Sequence, residues 1–188
     1  YAVADQGDTN VSFYAGTFDV IDKEGDDQTS LFGIEHKNPN LFRDTFLGKF
    51  KPVTGGFMTG NSSIYLYTGV EGQYGIGPLK ILPSFTPGYY EKGDGKDLGS
   101  VLEFKSELKV GFDIFENSKL SYSYSHISNN DWGDTNPGTD NQHITFSKNF
   151  NLLFFAQKSI LAPGVRLRKA PSAPGKLPVP PGGPYEFI

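Results

Sequence analysis

The stretch Leu120–Ser128 reads Leu-Ser-Tyr-Ser-Tyr-Ser-His-Ile-Ser, and it decides between fold classes more clearly than any other part of the chain. Successive side chains of a β-strand point to opposite faces. One face of this strand is bulky and ends in two polar groups: Leu120, Tyr122, Tyr124, His126 and Ser128. The other face carries three small serines: Ser121, Ser123 and Ser125. An aromatic face backed by small polar residues is typical of a membrane β-barrel strand, which has lipid outside and a packed polar interior.

Similar alternation recurs along the first 150 residues, in segments that turn residues separate. It predicts eight strands, near residues 11–20, 29–36, 45–57, 62–72, 78–90, 98–113, 118–128 and 141–150. In the sixth segment an apolar face opposes a face of alternating charges: Glu103, Lys105, Glu107 and Lys109. Eight strands of about ten residues match the smallest closed membrane barrel, whose interior is filled by side chains. We therefore predict an all-β, eight-stranded antiparallel transmembrane barrel over residues 1–150, with these charges paired inside.

Composition excludes several other classes. The longest uncharged apolar stretch, residues 151–156, is far shorter than the roughly 20 residues of a spanning helix, so a helical membrane protein is excluded. The chain has no cysteine and therefore no disulfide or thiolate metal site. A net charge of -4 without a basic stripe gives no indication of a nucleic-acid partner. The chain begins at Tyr1 without a methionine or a signal core, which favours a mature or trimmed form.

The composition changes after residue 150. Residues 151–188 hold seven of the 13 prolines and carry five Lys or Arg against one acidic residue. Frequent proline is incompatible with a helix or a central strand. We therefore predict a basic, Pro-rich tail over residues 151–188 that is extended or disordered, either a genuine extension or foreign sequence.

Turn lengths predict the orientation of the barrel. The short connection Glu116–Ser118 is typical of a periplasmic turn, and the long connection Asn129–Asp140 is typical of an extracellular loop. Ser128 then lies at the outer end of its strand, close to the outer leaflet.

Three side chains near this end have the chemistry of a serine esterase. Such an enzyme needs a base for the hydroxyl proton, a group that orients the base, and donors for the oxyanion. His126 and Ser128 are two residues apart on one face, about 6.5 Å between Cα atoms, and their side chains can meet. By the parity of its strand, Asp140 emerges on the same outward face and can orient the imidazole. Asn129 offers an amide and a backbone N–H beside the serine.

Other interpretations of the same residues stay open at this point. His126 and Trp132 are also explained as anchors at the membrane interface, and the residues from Asn136 to Gly138 as a simple turn. Asp134 is a second candidate for the orienting acid. His36 and His143 fit no ligand set, and we interpret both as structural; no metal site is predicted.

The run His126-x-Ser128-Asn129, the loop containing Asn136-Pro137-Gly138, and an acid twelve residues after the serine resemble the lipid A 3-O-deacylase family of the PagL type. The resemblance implies an eight-stranded barrel of the bacterial outer membrane that removes the ester-linked 3-O acyl chain from the lipid A of lipopolysaccharide, without a cofactor. It implies Ser128 as nucleophile, His126 as general base, Asp140 as orienting acid and Asn129 as a contributor to the oxyanion hole. One position departs from the family, which usually has glutamate where this chain has Asp140.

Two alternatives belong to other functional classes. The first is a small non-enzymatic outer-membrane barrel, such as an adhesin or a membrane-stabilising protein. The second is a soluble β-barrel or sandwich that turns its apolar faces inward to bind a small ligand.

Overall fold

The computed structural model describes residues 8–21, 27–38, 41, 43–46 and 48–151, which form nine β-strands. Their bounds are β1 Asp8–Phe18, β2 Thr29–Lys37, β3 Arg43–Thr45, β4 Gly48–Thr59, β5 Ile64–Ile76, β6 Leu79–Glu91, β7 Leu102–Phe115, β8 Ser118–Ser128 and β9 Thr139–Asn151. No helix in the described part of the chain has the length and apolarity needed to cross a bilayer.

All pairings between these strands are antiparallel, and the sheet closes on itself. The strand order is β2-β1-β9-β8-β7-β6-β5-β4-β3, and an additional β2–β4 pairing completes the cylinder. The short β3 pairs with β4 at residues 48–50, next to the part of β4 that pairs with β2. β2 and β3 together therefore occupy one position of the wall, and the predicted eight-stranded antiparallel barrel is confirmed.

The two faces of the wall have opposite chemistry. Large apolar side chains are exposed on the outside, among them Phe13, Phe32, Ile34, Leu66, Leu108 and Ile144. The interior holds buried ion pairs, including Lys105 to Glu107 at 2.7 Å and Lys109 to Glu35 at 2.7 Å. Of the charges predicted to face inward, Lys105, Glu107 and Lys109 pair there, whereas Glu103 is buried without an ion pair among the described residues. A soluble barrel or sandwich would place its apolar faces inside, and this wall does the reverse.

The interior is divided along the barrel axis. A buried, largely aromatic cluster fills one end: Tyr14, Phe18, Leu31, Val53, Phe57, Tyr65, Tyr67, Tyr90, Leu98 and Ile127. The ion pairs lie farther towards the other end, where the two-residue turns 77–78 and 116–117 connect the strands. Residues 19–21, which follow β1, and the longer connections 92–101 and 129–138 lie at the aromatic end. Long and short connections therefore lie at opposite ends of the barrel, and the placement of the long loops on the outer side stays a prediction.

Most strand boundaries differ from prediction by one to four residues, and two of these differences concern the surroundings of the site. The sixth predicted strand begins at residue 98, but β7 begins at Leu102, because Leu98 turns into the aromatic core and Gly99 has a φ of +87°. The last strand begins at Thr139 rather than at residue 141, so Asp140 lies inside the ladder. The predicted tail lies outside the described residues, apart from Asn151 at the end of β9, and remains a prediction.

Candidate active site

The β8–β9 ladder brings His126 and Asp140 together. The two residues are direct partners across these strands, and His126 Nδ1 lies 3.0 Å from Asp140 Oδ1. The imidazole is half exposed and the carboxylate partly exposed on the outside of the barrel. An ionised carboxylate only accepts hydrogen bonds, so Nδ1 carries the proton and Nε2 of the neutral ring is left as the basic nitrogen.

A third side chain holds the carboxylate. The Tyr124 hydroxyl donates a hydrogen bond of 2.9 Å to Asp140 Oδ1, the same oxygen that accepts from His126. Tyr124 lies two residues before His126 on the same face, which makes it a diagonal neighbour of Asp140 across the ladder. Sequence reasoning missed this residue, although its parity on β8 placed it on the correct face.

Ser128 ends β8 on the outward face. Ile127, between His126 and Ser128, is completely buried in the aromatic core, so its two neighbours face outwards. Ser128 is half-buried and lies opposite Phe104 of β7. Among the described residues no hydrogen bond joins the Ser128 hydroxyl to His126. Hydrogen bonds of catalytic groups are often long without substrate, so this geometry alone does not exclude the pair.

Asn129 has a different environment from that of the serine. Asn129 is two residues after Ile127 and, like it, faces the interior and is fully buried. Its side-chain amide donates to Leu98 O at 2.8 Å and to Thr135 O at 2.7 Å. Its backbone N–H donates to Asn136 Oδ1 at 3.1 Å. The donors predicted for the oxyanion are therefore engaged in holding loop 129–138 in this structure.

The last residue of that loop lies against the imidazole. Gly138 has a φ of +63°, and a Cβ built on it would lie 3.0 Å from His126 Cε1 and 3.4 Å from Nε2. Glycine therefore provides both the left-handed backbone and the room that the ring occupies. Asp134, the second candidate for the orienting acid, lies instead on the exposed part of the loop, where its N–H contacts Gly99 O.

An apolar surface adjoins the serine. Phe104, the cross-strand partner of Ser128, stacks against Phe85 at 6.1 Å and meets Trp132 edge-on at 5.2 Å between ring centroids. Trp132 is 69% exposed. The three rings extend over β6, β7 and loop 129–138 on the outside of the barrel.

Two cavities in the described part of the chain are not lined by His126, Ser128 or Asp140. One of about 480 Å³ occupies the short-turn end of the interior and is lined by several lysines, including Lys51 and Lys119. The other, about 470 Å³, lies between loops 92–101 and 129–138 and is lined by Tyr90, Asp97 and Asp134 among others. The candidate site itself is open to the surroundings of the barrel.

Comparison with known proteins identifies the family. A profile of the lipid A 3-O-deacylase (PagL) family matches residues 28–149, which include His126, Ser128 and Asp140. The chain belongs to this family. It is thereby an outer-membrane barrel of a family of lipid A deacylases, as the sequence predicted.

Similarity to solved structures supports the PagL fold. The crystal structure of the outer membrane enzyme PagL aligns with a TM-score of 0.56 at 14% identity, covering 74% of this chain and 98% of that chain. A structure from the de novo design of transmembrane β-barrels aligns with a TM-score of 0.52 at 13% identity, covering 77% and 96%. Curated protein sequences give no match.

Proposed function

We propose that this PagL-family barrel is a serine esterase that hydrolyses the 3-O acyl ester of lipid A in the outer leaflet. The observation that carries the proposal is the hydrogen bond of 3.0 Å from His126 Nδ1 to Asp140 Oδ1 on the outward face, beside Ser128. A histidine oriented in this way by a carboxylate next to a serine is the arrangement that activates a hydroxyl nucleophile.

The reaction proceeds in two acyl transfers. Ser128 Oγ attacks the ester carbonyl while His126 Nε2 takes the hydroxyl proton, and Asp140 stabilises the imidazolium. His126 then returns this proton to the sugar 3-oxygen as the C–O bond breaks, which leaves an acyl-Ser128. A water molecule attacks the acyl group with His126 again as base, and the fatty acid and the free serine are released.

The oxyanion requires donors near Ser128, and Asn129 is the proposed contributor through its backbone N–H. That group donates at present to Asn136 Oδ1. When substrate binds, the developing oxyanion replaces the Asn136 amide oxygen as the acceptor. A charged acceptor forms the stronger hydrogen bond, so the exchange favours the transition state.

The shorter acid of this chain fits the site because of strand register. Direct partners in an antiparallel ladder have Cα atoms only about 4.5–5.5 Å apart. Asp140 is the direct partner of His126, so an aspartate reaches the ring without the additional methylene of glutamate. The departure from the usual family residue is thus compatible with the same role.

Lipid A suits the location of these groups. Its acyl chains lie in the outer leaflet, and the half-buried ring of Phe104, opposite Ser128, contacts the exposed ring of Trp132. The substrate then reaches the serine by lateral diffusion, and no cofactor takes part. The surrounding hydrocarbon strengthens the His126–Asp140 interaction, since a low dielectric magnifies charge pairing.

The test is release of 3-hydroxy fatty acid from lipopolysaccharide by purified protein in detergent. We expect release by the wild type and its loss in Ser128→Ala with the barrel still folded. Ser106→Ala is the matched control, because Ser106 is an outward-facing serine directly opposite His126 on β7. Retained activity in Ser128→Ala, or its loss in Ser106→Ala instead, would remove Ser128 from the mechanism. Absence of release by a folded wild type would favour the non-enzymatic alternative.

A further inference from the structure

A buried ion pair links two outer loops next to the candidate site. Asp19, the first residue after β1, is 2% exposed and has a φ of +59°. Its Oδ2 accepts a hydrogen bond of 2.6 Å from Lys96 Nζ of loop 92–101, and the Lys96 side chain is 17% exposed. The Tyr90 hydroxyl, from the aromatic core, donates to the Lys96 carbonyl oxygen at 2.8 Å. Both partners are therefore fixed within the barrel mouth.

The same segment holds the strand that carries Asp140. Asp19 Oδ1 accepts from the Thr139 hydroxyl at 3.1 Å, and the Asp19 N–H donates to Asn141 Oδ1 at 3.0 Å. The next residue, Val20, donates its N–H to the Asp140 carbonyl oxygen at 2.7 Å. Thus Asp140 is held at its own backbone and through both of its neighbours in the chain, and all three contacts come from residues 19 and 20.

We propose that the Asp19–Lys96 ion pair positions the Asp140 carboxylate against His126. The inference rests on the proposed function, and it makes Asp19 and Lys96 positioning residues, since neither contacts the reacting groups. Removing one partner of a buried pair leaves an uncompensated charge, which forces the loop to rearrange towards water. Such a rearrangement pulls on residues 139–141, and a displacement of about 1 Å at a catalytic group can cost about 100-fold in rate.

The loop offers a matched control. Lys92 and Asp97 also pair on loop 92–101, at 2.6 Å, but both side chains are more than half exposed. The hydrogen bond from Lys92 lowers the pKa of Asp97, which favours the ionised carboxylate in this exposed pair. Exposed pairs contribute little to stability, and this pair has no contact with residues 139–141.

The experiment is a double-mutant cycle on the full chain in detergent. Asp19→Asn and Lys96→Met should each lower kcat about 10- to 100-fold with little change in KM. On an Asp140→Asn background the same changes should have less than about a twofold effect, because the group through which they act is gone. Lys96→Arg should restore most of kcat, and the control variants Lys92→Met and Asp97→Asn should keep it. Equal losses with and without Asp140, or unchanged kcat, would overturn the inference.

A spectroscopic readout separates this inference from the proposed function. In a Ser128→Ala background, the His126 Nδ1 proton should give a slowly exchanging NMR signal that Asp19→Asn or Lys96→Met weakens. If the wild type releases no fatty acid but this signal still depends on Asp19, the esterase proposal fails and the positioning role stands. If the wild type is active and neither the signal nor kcat responds, only the positioning role fails. Should Asp19→Asn not fold, the Lys96→Met cycle decides the same question.

Discussion

At the residue scale, the site depends on one oxygen atom. Asp140 Oδ1 accepts hydrogen bonds from His126 Nδ1 and from the Tyr124 hydroxyl, both on β8. Two donors from one strand fix the carboxylate in the plane where it meets the imidazole. The second donor is therefore part of how the base is oriented, although it does not contact His126.

Replacing Tyr124 by phenylalanine should lower kcat without unfolding the barrel. The lost hydrogen bond is worth about 0.5–1.5 kcal/mol, which corresponds to roughly a 2- to 10-fold decrease in kcat. Tyr122→Phe is the control. Tyr122 lies on the same strand and face as Tyr124, but its hydroxyl donates to Gln142 at 2.9 Å rather than to Asp140. Steady-state hydrolysis of lipopolysaccharide measures both variants. An equal decrease in the two would show that the contact with Asp140 has no special role.

At the scale of elements, β8 was largely predictable and the loops were not. The alternation in β8 is strict, and burial of Ile127 follows the predicted parity, so the outward placement of His126 and Ser128 needed no structural information. The same parity turns Asn129 inwards. Its contacts with Leu98 and Thr135 depend on how two loops fold over the barrel end.

Other features had no local signal in the sequence. The strand predicted over 45–57 is divided instead, because residues 43–45 pair with residues 48–50 and continue the line of β2 along β4. Asp19 and Lys96 are 77 residues apart and meet only because the end of β1 and loop 92–101 lie at the same barrel mouth. Positive φ at Asn130 and Asp131 shapes loop 129–138 through residues that are not glycine.

The end of loop 129–138 should be sensitive to a single methyl group. Gly138→Ala adds a Cβ 3.0 Å from His126 Cε1, which displaces the ring and should lower kcat about 10- to 100-fold. It also strains a backbone at φ +63°, at a cost of about 1–2 kcal/mol.

The control for this change is Gly77→Ala, in the short turn between β5 and β6. Gly77 has a φ of +58° and nothing within 4 Å of the added Cβ, so it carries the same backbone strain without the contact. Thermal midpoints of the two variants should fall alike, while only Gly138→Ala should lose activity. A normal kcat in Gly138→Ala would mean that the imidazole position does not depend on this loop.

At the scale of the whole molecule, the buried ion pairs that stabilise the barrel lie apart from the residues proposed to carry out the reaction. The interior ion pairs fill the part nearer the short turns, and the aromatic cluster supports the end that carries the site. Lys109 contacts Glu35 at 2.7 Å and Glu71 at 3.2 Å in this interior. Changes there should affect the free energy of unfolding rather than turnover.

Lys109→Met should destabilise the barrel by about 3–5 kcal/mol, because it leaves buried carboxylates without their partner. Lys80→Met removes an ion pair with Asp113 whose carboxylate is more than half exposed, and it should cost less than about 1 kcal/mol. Denaturant unfolding in a common detergent measures the difference, and kcat of the folded fraction should be unchanged in both. Equal stabilities would show that the interior charges do not act as a network.

The most direct test of the proposed esterase is mass spectrometry of lipid A from outer membranes that contain the wild-type chain or Ser128→Ala. We expect lipid A to lose the mass of one hydroxyacyl chain with the wild type and to stay intact with the variant. Intact lipid A in membranes that hold the folded wild type, or the same loss with Ser128→Ala, would contradict it.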